Sequence, residues 1–416
     1  MRLKGVLHLP GDKSLSHRSL MFSCLAKGQS IIRNIGSGED VQSTIRCLRQ
    51  LGIIVENQGN SVVVNGSKLT PPNEPLDCGN SGTTVRLLMG LLAGQGVSAE
   101  FHGDASLSSR PMGRVTQPLS ELGAIYSLTD NHLPATHIAN YLQASNHTLQ
   151  IASAQVKSAY ILGALGASGT STITDPYKTR DHTENLLYAM GADIQTIGHK
   201  IVISNLKKPL NTINWDIPAD PSSIAFFAAA ALAIPNSCVE FKNALMNPTR
   251  IGFLHLLEQS GAKVERKNIR KICGETICDL VVSSSCLSAC KVDHEIVPSL
   301  IDEIPMLAVL ATQMNGITEV RGAQELRVKE CDRINAIVTN LRALGVEVEE
   351  FPDGFTLEGP QKIQPGPVKC FDDHRIAMAF YTAGLIANCP IELDQPQCAA
   401  ISLPQFYTLM DSIIHH

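Results

Sequence analysis

A motif defined by its pattern of apolar and polar positions recurs along the chain at intervals of about 70 residues. Each copy has the pattern of an amphipathic helix, then a glycine, then a β-branched or small residue that opens a strand. The glycines stand at Gly52, Gly123, Gly191, Gly261 and Gly345. Since glycine adopts the left-handed conformation that ends many helices, each is predicted to turn the chain from helix into strand. A final helix, roughly 403–414, is predicted where a sixth copy is due, although it lacks the glycine.

Six other segments are apolar on nearly all sides, which is typical of buried helices. They read SHRSLMFSCLAKG, GTTVRLLMGLLAG, QVKSAYILGALGA, PSSIAFFAAAALA, EIPMLAVLATQ and DHRIAMAFYTAGLIA. Their small residues allow neighbouring backbones to approach closely. Each repeat is therefore predicted to contain a strand, a buried helix, a strand, an amphipathic helix and a hairpin. Six such repeats nearly fill the chain and predict an α/β fold built by repetition.

Length and composition narrow the class of protein. The 416 residues are too many for one ordinary core, so two or more domains are expected. A formal net charge of −5 argues against a general nucleic-acid or membrane-surface binder. The longest apolar run, 224–235, is too short to span a membrane. No signal peptide is visible at the start, and we expect a cytoplasmic protein.

The twelve cysteines form no CxxC pair. The tightest group, Cys273, Cys278, Cys286 and Cys290, has irregular spacing that structural zinc sites do not favour. Reduced, unpaired thiols are the better interpretation, and no metal site is predicted.

The buried helices carry their polar residues at their starts, which read GDKSLSHR, GNSGTT, ASAQVKS, ADPSS, IDEIP and DDHR. Free backbone N–H groups and the positive end of the helix dipole lie there. Serine, aspartate and asparagine at such places are most often simple caps. Capping does not require Lys13, Arg18, Arg86, Lys157 and Arg375 in or near the same turns. The set therefore predicts a pocket for phosphates and carboxylates.

Several long motifs resemble the EPSP synthase family of enolpyruvyl transferases, nearly end to end and in family order. They are LPGDKSLSHR (9–18), GNSGTTVRLL (79–88), GDASLSSRPMGRV (103–115), SAQVKSA (153–159), RDHTE (180–184), LIDEIP (300–305), ELRVKECDR (325–333) and DDHRIAM (372–378). The resemblance implies a two-domain inside-out α/β barrel of six βαβαββ repeats, three per domain. It places one domain at 10–218 and the other at 1–9 plus 219–416, with the active site in the interdomain cleft.

The activity that the resemblance implies is transfer of the enolpyruvyl group of phosphoenolpyruvate to the 5-hydroxyl of shikimate 3-phosphate. Phosphate leaves after a tetrahedral intermediate, and no cofactor or metal takes part. The partners implied are these two small molecules, and the enzyme is expected to be a monomer. Because the two substrates bring several negative charges together, many cations must share the site.

The family motifs assign residues to three roles. Asp302 is implied as the base, and Lys13 and Glu330 are candidates for proton transfer. The residues implied for shikimate 3-phosphate are Lys13, Ser14, Arg18, Ser153, Ala154, Gln155, Arg180, Asp302 and Lys329. The residues implied for phosphoenolpyruvate are Lys13, Gly82, Arg110, Gln155, Arg333 and Arg375.

Other interpretations compete at several positions. Glu330 and Arg333 can belong to a solvated helix face with i,i+3 pairing. Asp302 and the adjacent glutamate can form a cap pair. His374 can act as an electrophile or be a packed imidazole, and Arg86 can be a buried ion-pair partner or a ligand.

Two positions differ from the residues usual in the family, and a third bears on inhibition by glyphosate. Thr179 replaces a usual serine before RDHTE. Ile401 stands where some members have a lysine that helps hold phosphoenolpyruvate. Gly82 occupies the place where an alanine in some relatives excludes glyphosate, so the open space at Gly82 predicts a glyphosate-sensitive enzyme.

Two alternatives remain for the function. UDP-N-acetylglucosamine enolpyruvyl transferases share the repeat fold, but they have a Lys-Asn pair where this chain has Lys13-Ser14. They also carry a reactive cysteine that the loop DASLSSRPMG lacks. A non-catalytic anion-binding protein would have no need of Asp302, Glu330 and Lys13.

Overall fold

The computed structural model of the protein describes residues 1–415, which divide into two compact units. The first unit consists of residues 11–217 together with the short segment 272–275. The second unit consists of residues 1–10, 218–271 and 276 onward. Among the described residues, no helix combines the length and the apolar character that crossing a membrane requires.

The chain forms short strands throughout both units. In chain order they are β1 Arg2–Leu7, β2 Gly28–Arg33, β3 Ile54–Gln58, β4 Ser61–Gly66, β5 Leu76–Asp77, β6 Ala99–His102, β7 Ile125–Thr129, β8 His132–Ile138, β9 Asn146–Thr148, β10 Thr170–Thr174, β11 Ile194–Ile197, β12 Lys200–Ser204, β13 Asn214–Asp216, β14 Cys238–Leu245, β15 Lys263–Ile272, β16 Glu275–Ser283, β17 Lys291–Val292, β18 Gly316–Val320, β19 Glu349–Phe351, β20 Gly354–Gly359, β21 Gly366–Val368, β22 Ile391–Leu393 and β23 Ile414–His415.

Helices alternate with these strands. They are α1 Lys13–Cys24, α2 Glu39–Gln50, α3 Gly82–Gln95, α4 Ala105–Ser108, α5 Gly113–Glu121, α6 Ala154–Ala164, α7 His182–Ala189, α8 Pro221–Ala233, α9 Gly252–Gln259, α10 Val297–Leu300, α11 Ile304–Ala311, α12 Arg333–Ala343, α13 His374–Ala387 and α14 Phe406–Asp411, with 3₁₀ turns at Ile301–Glu303, Gln324–Val328 and Pro396–Ile401.

Five of the six sheets share one strand order. In each, one strand pairs in parallel with a second strand. The second strand pairs antiparallel with one arm of a hairpin. The first unit holds β13-β2-β4-β3, β5-β6-β8-β7 and β9-β10-β12-β11. The second unit holds β17-β18-β20-β19 and β1-β14-β16-β15, where β23 extends the far side of β1. The α/β class predicted from the repeated pattern is confirmed.

The sixth sheet is smaller than the others, because it contains only the parallel pair β21-β22. The helix predicted at 403–414 is also shorter, since α14 covers only Phe406–Asp411. Pro404 disfavours a helical conformation at the residue before it. At the other end, Ile414 leaves the helix and pairs with Leu3 in a strand.

The glycines of the repeated motif end helices as predicted. Their φ angles are +84° at Gly52, +97° at Gly123, +87° at Gly191, +101° at Gly261 and +77° at Gly345. These values lie in the region that side chains other than glycine rarely adopt. The chain can therefore leave each amphipathic helix and begin a hairpin strand two to four residues after the glycine.

The six apolar helices are buried, which confirms their interpretation from sequence. In the first unit, α3 and α6 pack with their backbones in contact. A Cβ added at Gly90 would lie 2.1 Å from the carbonyl oxygen of Ala159, and one added at Gly94 would lie 2.4 Å from that of Leu162. In the second unit, α8, α11 and α13 form the centre of the core, where Phe227, for example, is fully buried. The polar starts of these helices carry the candidate site.

Candidate active site

Lys13, at the start of α1, is the first of the predicted cations in the first unit. The Asp12 carboxylate accepts a hydrogen bond from the Leu15 amide at 2.7 Å and so fixes the first turn. Lys13 follows, and its Nζ lies 2.9 Å from Asp40 Oδ2 at the start of α2. The Lys13 side chain keeps 22% of its surface exposed, so its ammonium is held in place yet reachable.

Arg18 is one turn further along α1 and is almost completely buried. Its Nε donates to Thr183 Oγ1 at 2.8 Å, its Nη2 to Ser158 Oγ at 2.7 Å and its Nη1 to the Ser14 carbonyl at 3.0 Å. Ser158 and Thr183 also share a hydrogen bond of 2.7 Å. These hydroxyl and carbonyl oxygens orient the guanidinium without neutralising its charge, which suits a residue that holds a phosphate.

The start of α6 connects Arg18 with the start of α3. Ser153 caps α6, since its Oγ accepts from the Val156 amide. The Ala154 carbonyl accepts from Ser158 Oγ, the same hydroxyl that contacts Arg18. The Gln155 side chain contacts α3. Its Oε1 accepts from Arg86 Nη1, and its Nε2 donates to Thr83 Oγ1 at 2.9 Å.

Gly82, the first residue of α3, lies between two buried guanidinium groups. A Cβ built on it would lie 2.8 Å from Arg86 Nη1 and 3.4 Å from Arg110 Nη1. Arg110 is held by Asn80 Oδ1 at 2.6 Å and by Ser106 Oγ at 3.1 Å. Two cations beside a residue without a side chain leave room for a small anion such as a phosphate or carboxylate.

Lys157 has a different place from the other basic residues of the helix starts. It is 2% exposed, and its Nζ lies 3.0 Å from Asp175 and 2.8 Å from Glu184. Asp175 also accepts hydrogen bonds from the amide and hydroxyl of Thr179. Burial opposes the charges, but the mutual attraction prevails, so the pKa of Lys157 is raised and that of Asp175 is lowered. Lys157 therefore supports the loop that leads to Arg180, because its ammonium contacts Asp175, Glu184 and the Thr179 carbonyl.

In the second unit, Arg333 at the start of α12 is the centre of a carboxylate cluster. Its Nε lies 2.7 Å from Asp373 Oδ2, its Nη2 2.6 Å from Glu330 Oε2 and its Nη1 3.3 Å from Asp302 Oδ1. Burial opposes the guanidinium charge, but Asp373, Glu330 and Asp302 outweigh it and raise the pKa of Arg333. With 1% of its surface exposed, Arg333 does not belong to a solvated helix face, although the predicted i,i+3 pair with Glu330 is present.

Arg375 lies at the start of α13 and is also buried. Its Nη1 is 4.0 Å from Glu303 Oε1, and among residues 1–415 its Nε has no hydrogen-bond partner. Burial, followed by the neighbouring charge of Asp302, raises the pKa of Glu303. A bound anion would supply the acceptor that the Arg375 Nε lacks. His374, beside it, is a buried imidazole at the first position of the helix.

Two further positions of the second unit complete the picture. Lys329 is half-buried and directly precedes Glu330, just before α12 begins. Ile401 packs against a small cluster of Cys370, Ala377 and Cys398. This apolar contact explains how an isoleucine is accommodated at position 401.

The structure brings many of the predicted residues together within each unit. In the first unit, hydrogen bonds link Ser14, Arg18 and Ala154 through Ser158. Arg86 contacts Gln155, and the guanidinium groups of Arg86 and Arg110 both lie beside Gly82. In the second unit, contacts link Asp302, Glu330 and Arg333, and Asp373 links these to Arg375, whose amide it accepts at 2.8 Å. Sequence reasoning missed Asp40, Asp373 and Thr183 as partners of the cations. Asp373 and Thr183 lay within quoted motifs, whereas Asp40 gave no signal beyond its place at a helix start.

One set of side chains among the described residues has the spacing that a metal ion would need. Ligand atoms of Asp181, His182 and Glu275 all lie within 4.8 Å of one another. His182 and Glu275 are buried and contact each other directly, with His182 Nδ1 2.8 Å from Glu275 Oε1. All twelve cysteines, by contrast, are free thiols dispersed over both units.

Known proteins of one family resemble this chain over nearly its whole length. Residues 1–410 match the family model of EPSP synthase (3-phosphoshikimate 1-carboxyvinyltransferase). The chain is 45% identical to the 3-phosphoshikimate 1-carboxyvinyltransferase of Sulfurihydrogenibium sp. (strain YO3AOP1), over 99% of this chain and 97% of that one. It is 40% identical to the enzyme of the same name from Bacillus subtilis (strain 168), over 99% and 97% of the two chains.

Solved structures agree. An EPSP synthase from Acinetobacter baumannii superimposes with a TM-score of 0.88 at 37% identity, covering 99% of this chain and 96% of that one. The enolpyruvyl transferase NikO from Streptomyces tendae, at 17% identity and a TM-score of 0.78 over 99% and 95% of the two chains, shares the fold. Because the family model and relatives of 40–45% identity match it nearly end to end, the chain belongs to the EPSP synthase (3-phosphoshikimate 1-carboxyvinyltransferase) family.

Proposed function

We propose that this protein transfers the enolpyruvyl group of phosphoenolpyruvate to the 5-hydroxyl of shikimate 3-phosphate and releases phosphate. The observation that carries the proposal is the contact of Arg333 with both Asp302 and Glu330. A guanidinium suited to an anionic substrate thus lies against two carboxylates suited to proton transfer. Family membership identifies the two anions, and the proposal requires the groups in both units to act on the same pair of substrates.

The groups of the first unit hold shikimate 3-phosphate in this proposal. Arg18 and Arg180 attract its phosphate, and Ser14, Ser153, Ala154 and Gln155 supply neutral donors and acceptors around it. The oriented guanidinium of Arg18 forms charge-assisted hydrogen bonds with phosphate oxygens, which are stronger than neutral ones. Asp302 and Lys329 of the second unit complete the contacts of this substrate.

Phosphoenolpyruvate is held by Lys13, Arg110, Gln155, Arg333 and Arg375. Gly82 keeps the space between Arg86 and Arg110 open for it. The Arg375 Nε, buried and lacking a partner among the described residues, obtains one from the bound anion. Several cations are needed because the two substrates otherwise repel each other in one site.

The chemistry proceeds by addition and elimination. Asp302 takes the proton of the 5-hydroxyl as its oxygen bonds to C2 of phosphoenolpyruvate, while C3 gains a proton from Lys13 or Glu330. The tetrahedral intermediate then loses a C3 proton, the C2–O bond to phosphate breaks, and the C2=C3 double bond forms again. The steps balance without an oxidant, a cofactor or a metal. A positioned acid or base contributes about 10²–10⁴-fold to such proton transfers.

We further propose that the chain acts as a cytoplasmic monomer. All assigned side chains come from one chain, and free thiols persist where the environment is reducing. Light scattering behind size-exclusion chromatography should give the mass of one chain with and without both substrates. A dimer mass at working concentration would contradict the monomer.

Phosphate release tests the function. Purified protein with phosphoenolpyruvate and shikimate 3-phosphate should release phosphate, whereas UDP-N-acetylglucosamine in place of shikimate 3-phosphate should give none. Lack of release with shikimate 3-phosphate would overturn the proposal, and release with the nucleotide sugar would favour the other transferase. Binding of both substrates without any turnover would indicate a non-catalytic anion-binding protein.

A further inference from the structure

The segment RDHTE (180–184) has three consecutive side chains in buried pairs. His182 contacts Glu275, Thr183 accepts from Arg18, and Glu184 contacts Lys157. His182, Thr183 and Glu184 form the first turn of α7, and Arg180 lies two residues before its first residue. The position of this turn therefore determines where Thr183 places the guanidinium of Arg18.

Glu275 differs from the other partners because it is far away in the sequence. It belongs to the segment 272–275 that groups with the first unit, 93 residues after His182. Its carboxylate is 1% exposed and accepts from His182 Nδ1 at 2.8 Å and from Asn185 Nδ2 at 3.4 Å. Neither the activity nor the family motifs quoted above use this residue.

The turn that carries Glu275 fits closely against α7. Gly274 has φ +82°, and a Cβ added to it would lie 3.1 Å from Asn185 Cβ and 3.2 Å from the Asn185 carbonyl oxygen. A side chain at this position would push the turn away from the helix. The glycine thus allows the turn to pack against Asn185, so that the Glu275 carboxylate reaches the side chains of His182 and Asn185.

We propose that Glu275 is a positioning residue for the shikimate 3-phosphate site, because it fixes the first turn of α7 and through Thr183 the guanidinium of Arg18. The proposal deepens the function given above and rests on it. The link is short: Glu275 holds His182, the next residue is Thr183, and Thr183 Oγ1 lies 2.8 Å from Arg18 Nε. A displacement of about 1 Å at Thr183 would take this hydrogen bond out of its useful range.

A cation is the competing explanation for Asp181, His182 and Glu275, because their ligand atoms are close enough to share one. The 2.8 Å contact between His182 and Glu275 is already a good hydrogen bond, with the imidazole N–H donating to the carboxylate. The pair therefore needs no ion to account for its geometry. The two explanations differ in their response to added metal.

The test compares Glu275→Gln with Glu265→Gln on the same hairpin, where Glu265 is exposed beside Lys267. Steady-state phosphate release gives kcat and the KM of each substrate. Glu275→Gln should raise the KM for shikimate 3-phosphate about tenfold, since a small displacement misaligns a binding group, while kcat and the KM for phosphoenolpyruvate change about twofold or less. Glu265→Gln should match the wild type. If Glu275→Gln does not fold, Glu275→Asp keeps the charge and should give a smaller rise in the same KM.

A double-mutant cycle with His182→Gln tests whether Glu275 acts through its contact with His182. The effects of Glu275→Gln and His182→Gln on the KM for shikimate 3-phosphate should not add, because both remove one interaction. Additive effects would overturn the proposal. A loss of thermal stability with an unchanged KM would also overturn it, since that is the result of a purely structural pair.

Metal titration tests whether Asp181, His182 and Glu275 bind a cation instead. The melting temperature of the wild type should be the same with EDTA, Mn²⁺ or Zn²⁺. A rise with one of these ions that Glu275→Gln abolishes would assign the three side chains to a cation instead. Direct calorimetric binding of shikimate 3-phosphate gives the same comparison without turnover, so a failure of the enzymatic function is distinguishable from a failure of this inference.

Discussion

The guanidinium of Arg333 and the carboxylate of Asp302 lie 3.3 Å apart, with Nη1 facing Oδ1. The proposed base therefore touches a cation proposed to bind phosphoenolpyruvate. Arg333 thereby holds the carboxylate that is proposed to take the proton of the 5-hydroxyl. This contact also means that a change at either residue affects the other.

Replacing Asp302 with asparagine should remove the base while keeping its shape. We expect kcat to fall about 10²–10⁴-fold and both KM values to change far less. Glu319→Gln, a charge change in a partly exposed pair of the same unit, is the control and should leave kcat unchanged. A near-normal kcat for Asp302→Asn, measured by phosphate release, would remove Asp302 as the base.

Replacing Gly82 with alanine should fill the space between Arg86 and Arg110. The added Cβ, 2.8 Å from Arg86 Nη1, forces that guanidinium to shift and reduces the room for a small anion. We expect a higher KM for phosphoenolpyruvate and a weaker competitive inhibition by glyphosate. The KM for shikimate 3-phosphate is the internal control. If the wild type shows no competition at millimolar glyphosate, the predicted sensitivity is wrong.

Replacing Asp175 with asparagine should destabilise the first unit by about 3 kcal/mol, because Lys157 stays buried without one of its partners. The pKa of Asp175 is lowered below its ordinary 3.8 in the folded state. Its contribution to the free energy of unfolding is therefore complete above that value and is lost as the pH falls through the folded pKa.

Urea unfolding at several pH values checks the Asp175 prediction. The difference between wild type and Asp175→Asn should be constant near neutral pH and should shrink in acid below about pH 4. Asp216→Asn is the control, because Asp216 forms an exposed pair with Arg33. An equal loss of stability in the control would contradict the proposed importance of the buried pair.

Replacing Gly90 with alanine should separate α3 and α6. The new Cβ would overlap the carbonyl oxygen of Ala159, and backbone atoms cannot move aside as a flexible side chain can. We expect a loss of about 1–3 kcal/mol or more in the free energy of unfolding. Gly384→Ala in α13, where the nearest atom lies 3.2 Å away, should cost less. Equal melting temperatures of wild type and Gly90→Ala would refute the close contact.

The local pattern was sufficient to predict the repeat. Gly191 and its counterparts signal helix ends through a conformational requirement that glycine satisfies, so they are visible without tertiary contacts. The short helix α14 was harder to predict. Its end depends on the pairing of Ile414 with Leu3, which are separated by nearly the whole chain. Such pairing is a tertiary effect that overrides local propensity.

The site could be predicted at the level of residue types and helix starts, but not at the level of pairing. Arg333 shows the limit, since its i,i+3 spacing to Glu330 is typical of a solvated face and only the fold buries it against Asp373. Lys157 shows the opposite case. It lies at a helix start like Lys13, yet Asp175 and Glu184 enclose it, and neither is near it in sequence.

Two of the sheets contain strands that are distant in the chain, and this has a consequence for synthesis. β13 at 214–216 completes the sheet of β2, and β1 at 2–7 pairs with β14 at 238–245. As the polypeptide leaves the ribosome, β1 has no partner in its sheet until more than two hundred further residues have emerged. The exposed edges of β1 and β2 are thus the parts of the nascent chain most in need of protection against aggregation.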